Sequence, residues 1–254
     1  MIMILKKNNI VFIAAIFILS LALIGINNIF MASPQKSADL TQTAHAAPDY
    51  ITSNTGKGKT VILDPGHGGE DPGAVSDFTE GVSEKNINLY IATEVKSLLE
   101  ADGYTVIMTR TEDVLVYDST AKGETQMRKQ DLQRRKKIMD DSGADIVVSI
   151  HLNKYPDEKI HGAQTFFTKE SKSSDKLAKS IQGAIVSTVD PDNKRVALVK
   201  KEDIIITKNC KTTTAIVECG FLSNKAEETK LTSKEYQNKL AAAIKLGIDG
   251  YFTV

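Results

Sequence analysis

Residues 61–69, Val-Ile-Leu-Asp-Pro-Gly-His-Gly-Gly, constrain the fold of this chain more than any other stretch. The three apolar residues predict a buried β-strand, which the Pro-Gly pair ends. The Gly-Gly pair allows a sharp bend and leaves space beside the imidazole of His67. Because open α/β sheets bind ligands at the carboxyl ends of their strands, His67 is a candidate functional residue.

A second apolar strand also ends in a histidine. Residues 146–153 read Ile-Val-Val-Ser-Ile-His-Leu-Asn, which places His151 at the end of a predicted core strand. The chain has only four histidines, and two of them end predicted core strands. This arrangement indicates a metal site. We expect the other two, His45 and His161, to be non-functional, although His161 is a candidate for lining the cleft.

A carboxylate completes the candidate metal site. Ser83 is predicted to cap a helix, and apolar residues at helical spacing predict that this helix ends near Asp102. Glu84 then lies in the first turn, where the helix dipole favours its ionised form. His67, Glu84 and His151 together form the two-histidine, one-carboxylate set of hydrolytic zinc, which leaves one position open for water. The competing interpretation is that Glu84 only serves the dipole and that each histidine is structural.

A second carboxylate interrupts an apolar strand. Residues 215–221 read Ala-Ile-Val-Glu-Cys-Gly-Phe, so Glu218 is predicted to be buried. A buried acid without a partner is costly, which indicates either a neighbouring cation or a catalytic role. Glu218 could act as the general base of a hydrolase, or as a salt-bridge partner of Arg134 or Arg195.

Predicted strands alternate with predicted helices along residues 59–254. This order predicts a single α/β domain with a mainly parallel, twisted central sheet and helices on both faces. The predicted strands include residues 203–208, and the basic residues of a helix at 125–142 are expected to form a solvated face. Cys210 and Cys219 are expected to be free thiols, with Cys219 packed as a small apolar residue.

The N-terminal region has a different character. Lys6 and Lys7 precede an apolar run, so residues 1–31 are predicted to be a signal peptide or a retained membrane anchor, and the chain is predicted to be exported. Residues 32–58 are polar and lack periodicity, as expected of a flexible linker. The formal net charge is +0, which gives no indication of nucleic-acid binding.

Five motifs appear in order: residues 64–69, 71–74, 83–86, 149–153 and 217–224. Together they resemble the zinc-dependent N-acetylmuramoyl-L-alanine amidases of the amidase-3 type. The resemblance implies that zinc is held by His67, Glu84 and His151, and that Glu218 is the catalytic acid/base. It also implies cleavage of the amide between the lactyl group of muramic acid and L-alanine in peptidoglycan.

No cell-wall-binding repeat is visible, and the chain is similar in this respect to the single-domain amidases of spore-cortex synthesis. Those enzymes strip the peptide from muramic acid so that the sugar can later close to a muramic δ-lactam. The resemblance implies action at the extracytoplasmic face of the membrane, in the cell wall or in the spore-cortex space. Because no inhibitory insertion is visible, we also hypothesise an activating protein partner at the membrane that raises zinc occupancy.

Two alternatives stay open at the level of sequence. His67, Glu70 and His151 could form the metal site of a zinc carboxypeptidase acting on peptidoglycan peptides, although no arginine cluster suggests a clamp for a terminal carboxylate. The chain could also be a non-catalytic cell-wall-binding protein that keeps the fold.

Overall fold

The computed structural model describes residues 56–168, 173–200, 205–208, 210 and 212–253. The predicted signal or anchor at 1–31 and nearly all of the predicted linker at 32–58 lie outside these residues, so their assignment stays a prediction. Among the residues described, no helix is both long and apolar enough to cross a membrane.

The described chain forms one mixed sheet flanked by helices. Its strands are β1 (Thr60–Pro65), β2 (Thr105–Met108), β3 (Ile146–Asn153), β4 (Gln164–Phe167), β5 (Leu198–Val199) and β6 (Thr213–Phe221). Its helices are α1 (Glu84–Ala101), α2 (Glu124–Asp141), α3 (Ser174–Thr188), α4 (Lys225–Leu231) and α5 (Lys234–Thr253). The strand order is β2-β1-β3-β6-β4-β5, and every neighbouring pair is parallel except β4 with β6. The predicted α/β fold with a mainly parallel sheet is therefore confirmed.

The two faces of the sheet are covered by different helices. Helices α1, α3 and α5 pack on one face, where Leu63, Ile150 and Val217 belong to the main apolar core. Helix α2 packs on the other face through Met139, which clusters with Ile62, Val147 and Ile206. The prediction of helices on both faces is thus confirmed.

Successive side chains of a strand point to opposite faces of the sheet, and this alternation places the polar residues on one face. His151 lies four residues after Val147 and therefore points to the α2 face. Glu218 is the register partner of His151 across β3 and β6, so it points the same way. The candidate site consequently forms on the α2 face, at the carboxyl ends of the parallel strands.

Some local features differ from the sequence predictions, among them the short strand β5. Residues 205–208 form a turn and not the predicted strand, because Ile206 packs into the α2-side cluster rather than pairing in the sheet; residues 203 and 204 lie outside the described chain. Helix α4 was not predicted, since seven residues are too few for a periodic pattern. Its start is nevertheless marked by Asn224, whose side chain accepts a hydrogen bond from the Glu227 backbone N–H at 3.0 Å.

Candidate metal centre

The turn after β1 presents His67 in a strained conformation. Its φ of 63° lies in the left-handed region, which is uncommon for a residue with a Cβ. Arginines hold this turn through its carbonyl groups. Arg110 Nη2 donates to the Gly66 oxygen at 2.9 Å, and Arg135 Nη2 donates to the His67 oxygen at 2.8 Å. Strain of this kind persists only where the surroundings enforce it, and it is found most often at functional sites.

Arg135 corrects the prediction of a wholly solvated basic face on α2. Only 1% of its side chain is exposed, and its charge is compensated by two buried carboxylates. Its Nε lies 2.6 Å from Asp131 Oδ2, and its Nη1 lies 3.1 Å from Asp64 Oδ1. Thr109 and Ser149 donate further hydrogen bonds to Asp64, at 2.7 Å each. This network ties α2 to the turn that carries His67.

Glu84 is fixed at the start of α1 by backbone and side-chain donors. It is 2% exposed, and it accepts hydrogen bonds from the Ala74 N–H at 2.8 Å, the Leu152 N–H at 2.9 Å and Asn88 Nδ2 at 3.1 Å. Burial opposes its ionisation, but the hydrogen bonds that it accepts from His151 and His67 hold the pKa of the Glu84 carboxyl well below its usual range. The site therefore contains a buried, ionised carboxylate.

The structure brings His67, Glu84 and His151 together. One donor atom from each residue lies within 4.8 Å of the others. His67 Nε2 is 3.3 Å from Glu84 Oε1, and His151 Nδ1 is 3.0 Å from the same oxygen. Two imidazole nitrogens and one carboxylate oxygen at this spacing could hold a divalent cation.

Asp71 orients the first of these imidazoles. Its Oδ2 lies 2.8 Å from His67 Nδ1, which leaves Nε2 directed at Glu84. Burial lowers the basicity of His67, yet the hydrogen bonds that it donates to the Asp71 and Glu84 carboxylates raise the pKa of the imidazole from 6.5 to about 9. A carboxylate behind a histidine fixes the tautomer and raises ligand basicity, which is common around protein-bound metals.

Glu218 lies beside this cluster without joining it. It is 8% exposed, and its Oε2 is buried with no hydrogen-bond partner among the described residues. Burial raises the pKa of the Glu218 carboxyl above its ordinary value. In the described part of the chain its salt-bridge partner is Lys200, whose Nζ is 3.8 Å from Oε1. The alternative pairing with Arg134 or Arg195 is wrong, because those side chains donate to Thr109 and to Gln164, respectively.

The other candidate residues lie elsewhere. Glu70 is exposed and accepts a hydrogen bond from the Tyr117 hydroxyl at 3.0 Å, so it is not part of the cluster. His161 is exposed, and the structure shows its backbone oxygen bound to Arg195 Nε. Cys210 and Cys219 are free and buried, as expected, and burial raises the pKa of the Cys219 thiol.

Sequence reasoning missed the residues that support the site. Asp64 and Asp71 lie within the motifs at residues 64–69 and 71–74. Asp64 also directly follows apolar strand residues, which is the kind of signal that identified Glu218. Arg135 gave no comparable signal, because its burial follows from the position of α2 against the turn.

A cavity of about 190 Å³ opens between the cluster and α2. His67 and His151 line it, together with Arg128, Leu132 and Ile206. A concave space beside convergent donor atoms is the usual form of an enzyme active site. The fold and the site thus define an α/β protein with a His-Glu-His cluster that could hold a metal ion beside a cavity.

Comparison with known proteins identifies the family. Residues 61–250 match the Amidase_3 family model, described as N-acetylmuramoyl-L-alanine amidase, and the chain belongs to that family. It is 37% identical over 196 residues to the germination-specific N-acetylmuramoyl-L-alanine amidase of Bacillus subtilis, covering 77% of this chain and 81% of that protein.

Solved structures agree with this assignment. The CwlD amidase from Clostridioides difficile, determined in complex with the GerS lipoprotein, matches with a TM-score of 0.74 and 41% identity. That match covers 77% of this chain and 98% of the CwlD chain. An N-acetylmuramoyl-L-alanine amidase from Clostridium difficile 630 matches with a TM-score of 0.66 and 30% identity, covering 77% and 97%.

Proposed function

We propose that this protein is a zinc-dependent N-acetylmuramoyl-L-alanine amidase, which hydrolyses the amide between the lactyl group of muramic acid and L-alanine in peptidoglycan. The observation that carries the proposal is the convergence of His67, Glu84 and His151 within 4.8 Å in a chain of the amidase family.

The donor set fits zinc. Two imidazoles and one carboxylate are the protein ligands of many hydrolytic zinc enzymes, and they leave a coordination position open. Asp71 and Asn88 provide the supporting hydrogen bonds that such ligands require, to His67 and Glu84 respectively. When bound there, zinc would act as a Lewis acid and lower the pKa of a coordinated water to about 7.

Glu218 is proposed to move the proton. Its carboxyl projects from β6 on the same face as His151, and its Oε2 is free of protein partners among the described residues. Burial raises the pKa of this carboxyl, so it can accept a proton from the attacking water and donate it to the leaving nitrogen of L-alanine. Lys200 lies near enough to limit this rise by favouring the ionised form.

The geometry favours the amidase ligand set over the carboxypeptidase set. Glu70 is exposed and hydrogen-bonded to Tyr117, whereas Glu84 is buried and contacts both histidines. The alternative of a non-catalytic wall-binding protein predicts a site that binds substrate or metal without turnover, and activity decides between them.

The deciding experiment combines metal analysis with product analysis. The full-length protein is loaded with zinc and incubated with purified peptidoglycan, and released stem peptides are identified by their free N-terminal L-alanine. We expect one zinc per chain and release that stops on chelation. Zinc binding without peptide release would favour the non-catalytic alternative, and release of a C-terminal amino acid would favour the carboxypeptidase.

The biological setting is proposed from the similar proteins. The chain resembles a germination-specific amidase, which supports export and a role in spore-cortex maturation through the peptide-free muramic acid that precedes the muramic δ-lactam. Mass spectrometry of cortex from a strain lacking this gene should show loss of the lactam. Unchanged lactam content would refute the role but not the amidase activity.

A partner protein is also proposed. The CwlD structure contains the GerS lipoprotein, which supports an activating partner at the membrane for this chain. A protein that packs on the domain would stiffen the ligand shell and raise zinc affinity by linkage. The test compares zinc occupancy and activity of the purified chain at limiting zinc with and without membrane extract. Full occupancy and full activity in the purified chain alone would overturn the partner proposal.

A further inference from the structure

Arg128 lies at the edge of the metal centre, and neither the ligand set nor the proton transfer requires it. Its Nη2 is 3.1 Å from Asp71 Oδ1, and 43% of its side chain is exposed. Its Nε is buried and has no hydrogen-bond partner among the described residues. The same Nη2 lies 3.7 Å from Glu124 Oε2. A guanidinium carries five N–H donors, so these two carboxylates, both at Nη2, take up only part of its capacity.

The cavity beside Arg128 connects it to the site. The same space of about 190 Å³ is lined by His67 and His151, by Arg128, and by the apolar side chains of Leu115, Leu132 and Ile206. The other charged residues that line this space are paired with one another, Arg135 with Asp64 and Asp131, and Asp71 with His67. A ligand that extends from the metal centre into this space therefore meets apolar side chains and the remaining donors of Arg128. Its chemistry should be a small apolar group followed by an anion.

We propose that Arg128 binds a carboxylate of the stem peptide, which makes this cavity the subsite for the peptide side of the scissile amide. The inference rests on the proposed amidase function. The stem peptide begins with the methyl side chain of L-alanine and then carries carboxyl groups that are free or amidated. The N-acetylated glycan carries no carboxylate once its lactyl group is in amide linkage, so it offers no comparable partner for a guanidinium.

A purely structural role for Arg128 makes a different prediction. If the side chain only holds Asp71 against His67, its removal should weaken zinc binding and leave ligand preference unchanged. Lys129 is an exposed cation next to it on α2 and provides a charge-matched control.

The test titrates the full-length, zinc-saturated protein with two dipeptides that begin with L-alanine. They differ only in whether the α-carboxyl group of a γ-linked second residue is free or amidated, and the remaining carboxyl group is blocked in both. The unmodified protein should bind the free-carboxyl form roughly 10- to 100-fold more tightly, the range for hydrogen bonds to charged groups. Arg128→Met should bind the two forms equally, Arg128→Lys should retain part of the preference, and Lys129→Met should match the unmodified protein.

The zinc dissociation constant of each variant is measured beside these titrations. Equal binding of the two dipeptides by the unmodified protein, or an unchanged preference in Arg128→Met, would overturn the proposal. Weaker zinc binding in Arg128→Met with its preference intact would assign the residue to positioning Asp71 instead. Peptide release from peptidoglycan is followed separately, so failure of the amidase proposal is distinguishable from failure of this one.

Discussion

On the face of the sheet that α1, α3 and α5 cover, strands β3 and β6 present apolar side chains such as Ile150 and Val217. On the α2 face, alternate positions of the same strands present Ser149, His151 and Glu218. Because successive strand residues point to opposite faces, one stretch of sequence supplies a core to one side and a site to the other. The apolar residues set the position of the strands, and the position of the strands sets the distances within the site.

The two faces are also stabilised differently. The main core is held by burial of apolar area, which is non-directional. The α2 face instead buries the charges of Asp64, Asp131 and Arg135 in one hydrogen-bonded group. Buried ion pairs add little net stability compared with apolar residues, but breaking one is costly. This group therefore fixes the turn that carries His67 more than it strengthens the fold.

The largest expected loss of zinc binding and activity follows substitution of the proposed metal ligands on the α2 face. His67→Ala or His151→Ala removes one of three proposed ligands, so both zinc and activity should fall to background. Glu70→Gln should change neither, because Glu70 is exposed and bonded to Tyr117. Metal content and peptide release measured on the same samples check this. Loss of zinc from Glu70→Gln with normal zinc in Glu84→Gln would reverse the ligand assignment.

The next largest effect is the fall in turnover expected of Glu218→Gln, which separates proton transfer from metal binding. Glu218→Gln keeps the shape of the side chain, so the protein should fold and bind zinc normally. Its turnover should fall roughly 10²- to 10⁴-fold, the contribution of general acid–base catalysis. Kinetics on peptidoglycan fragments, with zinc analysis alongside, provide the measurement. A variant that loses zinc would show that Glu218 is a ligand.

The alternation of side chains along the strands explains how much of the fold and of the candidate site could be predicted from the sequence. Apolar strands ending in His67 and His151 were recognisable, and so was Glu218 as an acid within such a strand. His67 and His151 come together because β1 and β3 are adjacent parallel strands, and Glu84 joins them from the start of α1.

Other features depend on contacts between distant segments. The burial of Arg135 is decided by where α2 crosses the turn, 68 residues away along the chain from His67. Helix α2 is polar along most of its length, so its sequence pattern favours solvent exposure. The turn at 205–208 likewise depends on the packing of Ile206 against Met139 and not on its own propensity.

A third prediction compares the two faces by stability. Arg135→Met leaves Asp64 and Asp131 without their buried partner, so the protein should lose roughly 3–5 kcal/mol of unfolding free energy. Ile244→Ala in the main core should cost a similar amount, roughly 2–5 kcal/mol, from lost burial and a cavity. Only the first variant should also weaken zinc binding, because only it releases the turn of His67. Urea unfolding and zinc titration measure both, and equal zinc affinity in the two variants would contradict the argument.

A fourth prediction concerns the pH dependence of the metal-free protein. The pKa of His67 is about 9 in the folded state and 6.5 ordinarily, so the folded chain binds this proton more tightly than the unfolded chain. The resulting stability is present in full below about pH 6.5 and is lost as the pH rises towards 9.

Zinc competes with the same proton, so zinc affinity should rise about tenfold per pH unit over this range. Unfolding curves of the metal-free protein and zinc titrations between pH 6 and 9 provide the check. The main-core variant Ile244→Ala should keep both slopes, whereas a flat zinc affinity would show that His67 is not protonated in the free site.

The smallest expected change in stability and activity follows substitution of Cys219, the neighbour of Glu218. Cys219 is the next residue of β6, is 0% exposed and belongs to the main core, so its side chain points away from the site. Burial raises the pKa of its thiol and keeps it protonated and unreactive. Cys219→Ala should therefore lower stability by roughly 1 kcal/mol, typical of a point substitution, and leave turnover and zinc affinity unchanged. Thiol-alkylating reagents should likewise leave the folded protein active. Inhibition by such a reagent, or a fall in turnover comparable to that of Glu218→Gln, would contradict the assignment of Cys219 to the apolar core and of Glu218 to the site.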